Sequence, residues 1–272
     1  MSAATAMRPL AAMPDAVRAA VRGVLFDIDD TLTTHGTLTA AAYAALESLR
    51  DAGLVTVAIT GRPAGWCDHL ARMWPVDAVV GENGALWMRY DRAARKLARH
   101  FVADDATRRA NRHRLAAIGE RILSAVPGAA LASDQLYREA DLAVDFCEDV
   151  PALPRADIDH IVALMEAEGM TVKVSSIHVN GWFGRYDKLT TTRTLFAEVF
   201  AVDLDRDRER YVFAGDSPND APMFAYFPNA VGVANVRAFA DRIATLPAYV
   251  TQGEAGAGFV ELASALVAGR GA

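Results

Sequence analysis

The sequence has little of what marks secreted, membrane-embedded or nucleic-acid-binding proteins. Its two cysteines, Cys67 and Cys147, lie far apart and in no metal-binding spacing, so we expect neither a disulfide scaffold nor a cysteine metal site. No apolar run approaches the roughly 18 residues of a membrane span. The chain has 28 Lys and Arg residues and 34 Asp and Glu residues, so its net charge is −6. A negative net charge favours neither a nucleic-acid nor a membrane partner. A reducing, cytoplasmic setting fits these absences best.

The composition is otherwise that of an ordinary globular protein. Of 272 residues, 52% are hydrophobic and 23% are charged, which leaves room for a core in one or two domains. Residues 1–22 are Ala-rich, but Pro9, Pro14 and Asp15 interrupt their short apolar stretch. We interpret this segment as a loose extension with a short helix rather than as a signal peptide.

Apolar runs and helical patterns alternate in the first third of the chain and again after residue 186. The runs 24–26, 55–59 and 78–80 are typical of buried strands, and helical segments separate them. This order predicts a parallel sheet with right-handed crossovers. The middle of the chain instead predicts a hairpin over 85–102, helices over 105–125 and 155–168, and strands over 129–136, 141–147 and 171–180.

The fold class that we predict is therefore α/β, with a doubly wound, Rossmann-like parallel-sheet core interrupted by an α+β unit. The predicted division is an N-terminal extension over 1–22, the first part of the core over 23–85, the inserted unit over 86–180 and the second part of the core over 181–272.

Polar residues follow several of the predicted strands or begin a helix, where a parallel sheet places its ligand crevice. These residues are Asp27, Asp29, Thr60, Lys188, Asp216 and Asp220. Each alone has an ordinary interpretation, such as a solvated turn, a helix cap or a surface lysine. Their convergence at one edge of the sheet is harder to explain by chance, so we interpret them as one site.

Phosphoryl transfer gives this set of residues a coherent chemistry. Asp27 is the candidate nucleophile, and Asp29 is the candidate acid and base that protonates the leaving oxygen and then deprotonates water. The carboxylates of Asp27 and Asp216 and the backbone carbonyl of Asp29 are candidate Mg²⁺ ligands. Asp220 completes the predicted metal site by orienting, with Asn219, its waters or Lys188.

Phosphate oxygens need donors and positive charge around them. The Thr60 hydroxyl and the neighbouring Gly61 and Arg62 are predicted to bind these oxygens. Lys188 would add positive charge where carboxylates and phosphate crowd together.

Four short motifs resemble the signatures of the haloacid dehalogenase superfamily of phosphatases. They are Asp27-x-Asp29-x-Thr31, Thr60-Gly61-Arg62, Lys188 and Gly215-Asp216-x3-Asp220. About 127 residues separate Thr60 from Lys188, so the inserted unit sits at the second (C2) cap position, as in the IIB, or Cof-like, subfamily. Asn83-Gly84-Ala85 and Ser217-x-Asn219-Asp220 are also similar to that subfamily, whereas Asp30 stands where members often have Gly.

The resemblance implies a Mg²⁺-dependent phosphatase of small phosphate monoesters, often sugar phosphates, whose cap selects the substrate. Asn83 would then be near the substrate, and His178 or Asn180, on the polar face of the strand before Lys188, would contact it. Two alternatives stay open. One is a phosphomutase of the phosphomannomutase type, and the other is a catalytically silent protein that binds sugar phosphates. The oligomeric state is left open.

Overall fold

The computed structural model of this protein describes residues 7–270. The helices in this range are α1 (Asp15–Ala20), α2 (Ala40–Asp51), α3 (Ala64–Met73), α4 (Asp105–Ala125), α5 (Arg155–Ala167), α6 (Lys188–Val199), α7 (Leu204–Asp207), α8 (Ala221–Tyr226) and α9 (Ala255–Ala268). The strands are β1 (Arg8–Pro9), β2 (Gly23–Phe26), β3 (Val55–Ile59), β4 (Ala78–Gly81), β5 (Leu86–Asp91), β6 (Lys96–Phe101), β7 (Ala130–Leu131), β8 (Asp141–Asp145), β9 (Thr171–Val174), β10 (His178–Trp182), β11 (Tyr211–Gly215), β12 (Val231–Gly232) and β13 (Tyr249–Val250).

The larger sheet has the order β1-β13-β12-β11-β2-β3-β4-β5-β6. Its strands from β1 to β4 run parallel, and β5 and β6 are antiparallel additions at one edge. β2 lies inside the sheet, and its four residues are buried on both faces. Val24 and Phe26 pack toward α2, α3 and α9, whereas Leu25 packs toward α6 and α8. This two-sided burial explains the continuous apolar run that predicts the strand.

The inserted unit is built on a second, antiparallel sheet of order β7-β8-β10-β9. Leu115 and Ile122 of α4 and Ile161 and Met165 of α5 pack against this sheet and form a separate apolar core. The predicted fold class, a doubly wound core with an inserted α+β unit, is confirmed.

The hairpin β5–β6 belongs to the larger sheet, because β5 pairs with β4 from Gly81 and Leu86 onward. The apolar alternation of a hairpin predicts its two strands but not the sheet that they join. At the other end of the insertion, β10 continues to Trp182 in the smaller sheet. We therefore propose that the inserted unit, here called the cap, spans about residues 102–182.

Three local expectations were wrong. The strand predicted over 171–180 is a hairpin, because the Ser175 hydroxyl accepts hydrogen bonds from the backbone N–H groups of Ile177 and His178 and turns the chain between β9 and β10. The strand predicted over 129–136 is only the two residues of β7. The extension is also partly built into the core, since Arg8–Pro9 pairs with Tyr249–Val250.

Candidate active site

Asp27 stands at the carboxyl end of β2 and is almost completely buried. The Nζ atom of Lys188, the first residue of α6, lies 3.0 Å from Asp27 Oδ1 and 2.8 Å from Asp220 Oδ1. Burial raises the pKa of Asp27 to about 7, Lys188 opposes this shift, and the nearby Asp220 and Asp29 add to it. Additional positive charge at this point would favour the ionised carboxylate that nucleophilic attack requires.

Asp216 and Asp220 reach the same point from the segment after β11. Asp216 accepts hydrogen bonds from the Thr31 hydroxyl and from Asn235 Nδ2, both at 3.1 Å. Asp220 Oδ2 accepts from the backbone N–H groups of Asp216 and Ser217, which fixes the turn. A side chain at Gly215 would collide with this turn, because its Cβ would lie 2.4 Å from Asp220 Oδ2.

The residues present fit a divalent cation. One carboxylate oxygen from each of Asp27, Asp216 and Asp220 lies within 4.8 Å of the others, and all three residues are buried. Burial, followed by the charges of Asp220 and Asp27, raises the pKa of Asp216 well above its usual value. Lys188 balances only part of this negative charge, and hard oxygen ligands are those that Mg²⁺ prefers. Both oxygens of Asp216 and both oxygens of Asp220 already accept hydrogen bonds, so hydrogen bonding does not by itself choose the direct ligands among the three carboxylates.

The backbone at Asp30 accounts for the departure from the family's pattern. Asp30 has a φ of 54°, in the left-handed region that glycine adopts freely and that Asp and Asn tolerate better than most residues. Its N–H donates to Thr33 Oγ1 and its carbonyl accepts from Asn235 Nδ2. The turn after Asp29 is therefore held without glycine.

Thr60, Gly61 and Asn83 lie together at the ends of β3 and β4. The buried Thr60 hydroxyl accepts from the backbone N–H of Arg62, so its own proton is left for another acceptor. Asn83 has a φ of 53°, and within residues 7–270 its buried side-chain amide has no hydrogen-bond partner. Gly61 lies close to this amide, because a Cβ added at Gly61 would be only 3.1 Å from Asn83 Nδ2. These three residues were predicted to bind substrate, and the structure brings them into one corner.

Arg62 is engaged with carboxylates rather than open to a ligand. Its Nε lies 2.9 and 3.0 Å from the two carboxylate oxygens of Asp29, and its Nη2 lies 2.8 Å from Asp29 Oδ1. The same guanidinium donates to Asp134 and Glu148 of the cap, at 3.3 and 2.5 Å. The structure thus places Arg62 as a bridge between Asp29 and the cap.

Asn219, His178 and Asn180, which were predicted to bind substrate, also contact other side chains of this protein. Asn219 Oδ1 accepts from the Ser217 hydroxyl at 2.8 Å. His178 is buried, with Nε2 2.9 Å from Glu148 Oε2, and Asn180 Nδ2 donates to Asp141 Oδ2 at 3.0 Å. The polar face of β10 therefore points to other cap residues rather than into open space.

A cavity of about 330 Å³ lies between the core and the cap. The core contributes Asp29, Asp30 and Arg62 to its wall, and the cap contributes Glu148 and Ser176. His178 and Asn180 do not line it. A larger groove of about 730 Å³ lies outside α6 and α7, and its wall includes none of the acidic cluster.

Glu82, which sequence reasoning missed, ties the cap to the core. Its buried carboxylate accepts hydrogen bonds from the backbone N–H groups of Ala64, Glu139, Ala140 and Asp141, at 2.7 to 3.2 Å. Three of these donors belong to the cap, 57 to 59 positions along the chain. A lone glutamate after β4 gives no sequence signal for such distant partners.

Replacing Glu82 by Ala is expected to destabilise the protein strongly. Buried N–H donors that lose their acceptor cost about 1–3 kcal/mol each. We expect the free energy of unfolding to fall by about 2 kcal/mol or more and the melting temperature to fall by roughly 5 °C, as measured by thermal and urea melts. The control is Glu166→Ala, at an exposed position on α5. Equal stability of the two variants would show that Glu82 does not hold the cap.

The chain matches a known family over the part that carries Asp27 and Thr60. Residues 24–109 match the model of the haloacid dehalogenase-like hydrolases. The match covers 86 of the 272 residues, and over this part the chain is similar to that family. The predicted resemblance to this superfamily and the prediction of an enzyme agree with this match, and the insertion after Thr60 fits subfamily IIB. No curated protein matches the chain.

Solved structures share the fold over nearly the whole chain. The C-terminal domain of the trehalose-6-phosphate phosphatase of C. albicans has a TM-score of 0.71 at 13% identity, covering 98% of this chain and 99% of that one. A Thermoplasma acidophilum protein has a TM-score of 0.64 at 20% identity, covering 90% and 98%. The sucrose-phosphatase of Synechocystis sp., solved with sucrose and phosphate, has a TM-score of 0.61 at 17% identity and the same coverage.

None of the helices within residues 7–270 combines the length and the apolar character that crossing a membrane requires.

Proposed function

We propose that this chain is a Mg²⁺-dependent phosphatase that hydrolyses small phosphate monoesters, with sugar phosphates as the leading class. The observation that carries the proposal is the buried group of Asp27, Lys188, Asp216 and Asp220, in which a carboxylate at a strand end is held by an ammonium beside further carboxylates. Two proteins with the same fold, a sucrose-phosphatase and a trehalose-6-phosphate phosphatase, support the substrate class.

In the first step, a carboxylate oxygen of Asp27 attacks phosphorus, the bond from phosphorus to the leaving oxygen breaks, and Asp29 gives its proton to that oxygen. Lys188 and the Thr60 hydroxyl bind the other phosphoryl oxygens. Asp29 is bound to Arg62 in this structure, so proton transfer requires it to turn away from Arg62 toward the leaving group.

In the second step, water attacks the phosphorus of the aspartyl phosphate, Asp29 takes the water's proton, and Asp27 leaves as a carboxylate. Mg²⁺, bound by Asp27 and Asp216 with the backbone carbonyl of Asp29, would neutralise charge on the phosphoryl oxygens. Asp220 holds Lys188 and the turn after β11 in place.

The test is release of inorganic phosphate from p-nitrophenyl phosphate and from a panel of sugar phosphates, phosphoglycerates and nucleotides. We expect turnover with Mg²⁺, loss of turnover with EDTA, and no requirement for a sugar bisphosphate. Isomerisation of a hexose phosphate that needs a bisphosphate activator, with little phosphate released, would instead indicate a phosphomutase. Binding without turnover on every compound would indicate a silent binding protein.

A further inference from the structure

Glu148 is a charged side chain that the cap contributes to the wall of the cavity beside Asp29. It follows β8 and lines the cavity opposite Asp29 and Asp30. Its side chain is 25% exposed. The two polar cap residues that the sequence singled out, His178 and Asn180, lie behind this wall and are 3% and 2% exposed.

The loop that presents Glu148 is rigidly built. The buried carboxylate of Asp145 accepts hydrogen bonds from the backbone N–H groups of Cys147, Glu148 and Asp149, at 2.7 to 2.9 Å. The backbone of Phe146 pairs with the carbonyl of Ile177 in the turn between β9 and β10. A side chain on such a loop is preorganised for recognition, because little conformational entropy remains to be lost on binding.

Two neighbours fix the Glu148 carboxylate in its charged form. Although burial opposes the shift, His178 and Arg62 lower the pKa of Glu148 to about 2. Arg62 Nη2 lies 2.5 Å from Oε1, and His178 Nε2 lies 2.9 Å from Oε2. A carboxylate has about four acceptor positions. Arg62 Nη1, Arg62 Nη2 and His178 Nε2 take three of them, so one position remains for a further donor.

The wall of the cavity holds three carboxylates, one guanidinium and the imidazole of His35. Asp29, Asp30 and Glu148 line it, and the positive charge of Arg62 is already shared among Asp29, Glu148 and Asp134. Hydroxyl groups can donate to such carboxylates, whereas a second phosphate or a carboxylate on the leaving group would meet like charge.

We propose that Glu148 is a specificity-determining residue, which accepts a hydrogen bond from a hydroxyl group of a neutral polyhydroxy leaving group and disfavours anionic leaving groups. This inference rests on the proposed phosphatase function. It assigns selectivity to the loop after β8 rather than to the polar face of β10.

The experiment compares Glu148→Gln with wild type on three phosphate monoesters in the presence of Mg²⁺. Glucose 6-phosphate has a polyhydroxy leaving group, 3-phosphoglycerate has an anionic one, and p-nitrophenyl phosphate needs only the core site. The matched control is Asp149→Asn, which removes the same charge one residue away at an exposed position outside the cavity wall.

We expect wild type to prefer glucose 6-phosphate to 3-phosphoglycerate. In Glu148→Gln the ratio of the two kcat/KM values should fall by about tenfold or more, since a hydrogen bond to a charged group is lost and a repulsion is removed. Turnover of p-nitrophenyl phosphate should change by less than about twofold to threefold, and Asp149→Asn should match wild type on all three.

An unchanged ratio, or an equal fall on all three substrates, would overturn the specificity role; the equal fall would show that Glu148 acts only by bracing Arg62. A wild-type preference for 3-phosphoglycerate would also overturn it. Absence of wild-type turnover on every monoester is a separate result, because it contradicts the proposed phosphatase function itself.

Discussion

Replacing Asp27 by Asn is expected to reduce phosphate release to background while the fold is retained. Asn keeps the shape of the side chain but cannot attack phosphorus, and it removes one charge from the group formed with Asp216 and Asp220. We expect turnover of p-nitrophenyl phosphate to fall by a factor of about 10³ or more, measured under saturating Mg²⁺.

The retained fold is checked by the melting temperature of the variant, which should stay close to that of wild type because Lys188 keeps Asp220 as its partner. A variant that keeps more than about a tenth of wild-type turnover would contradict covalent catalysis by Asp27, since the loss of a nucleophile costs far more than this.

Replacing Asp29 by Asn is expected to affect substrates according to their leaving groups. Glucose 6-phosphate has a poor leaving group that needs a proton, so its turnover should fall by about 10² or more. With p-nitrophenyl phosphate the first step needs no acid, so p-nitrophenol should still be released once per site while hydrolysis of the phosphoenzyme is slow. The dependence on Mg²⁺ should be retained, because the proposed metal contact of Asp29 is its backbone carbonyl.

The matched control is Asp30→Asn, which alters a neighbouring carboxylate in the same turn and keeps a residue that tolerates the positive φ of this position. We expect it to retain turnover of p-nitrophenyl phosphate. If Asp29→Asn instead lost turnover of both substrates equally, and recovered it at a higher Mg²⁺ concentration, Asp29 would be needed for metal binding rather than for proton transfer.

The centre of the fold could be predicted because its signals are local. β2, β3 and β11 are buried on both faces, so each is an apolar run, and each ends at polar residues where the sheet meets its crevice. Local patterns also predict that α6 starts at Lys188. They predict as well that Thr39 is the N-terminal residue that caps helix α2, where its side chain accepts a hydrogen bond from the N–H of Ala42.

The cap interface could not be predicted, because its contacts join residues that no spacing relates. Arg62 donates a hydrogen bond to Glu148, which lies 86 positions further along the chain. Glu82 accepts hydrogen bonds from the backbone N–H groups of residues 139–141. The interpretation of β10 was incomplete for the same reason. Alternation correctly predicts a polar face with His178 and Asn180, but the partners that cover this face come from β8 and the loop after it.

The most direct test of the account is the identity of the phosphorylated residue. Asp29→Asn is mixed with p-nitrophenyl phosphate and Mg²⁺, quenched in acid, digested and analysed by mass spectrometry. The account predicts one phosphoryl group per chain, bound at Asp27, together with a burst of one p-nitrophenol per site. A burst without phosphorylated protein, or a phosphoryl group on another residue, would contradict it.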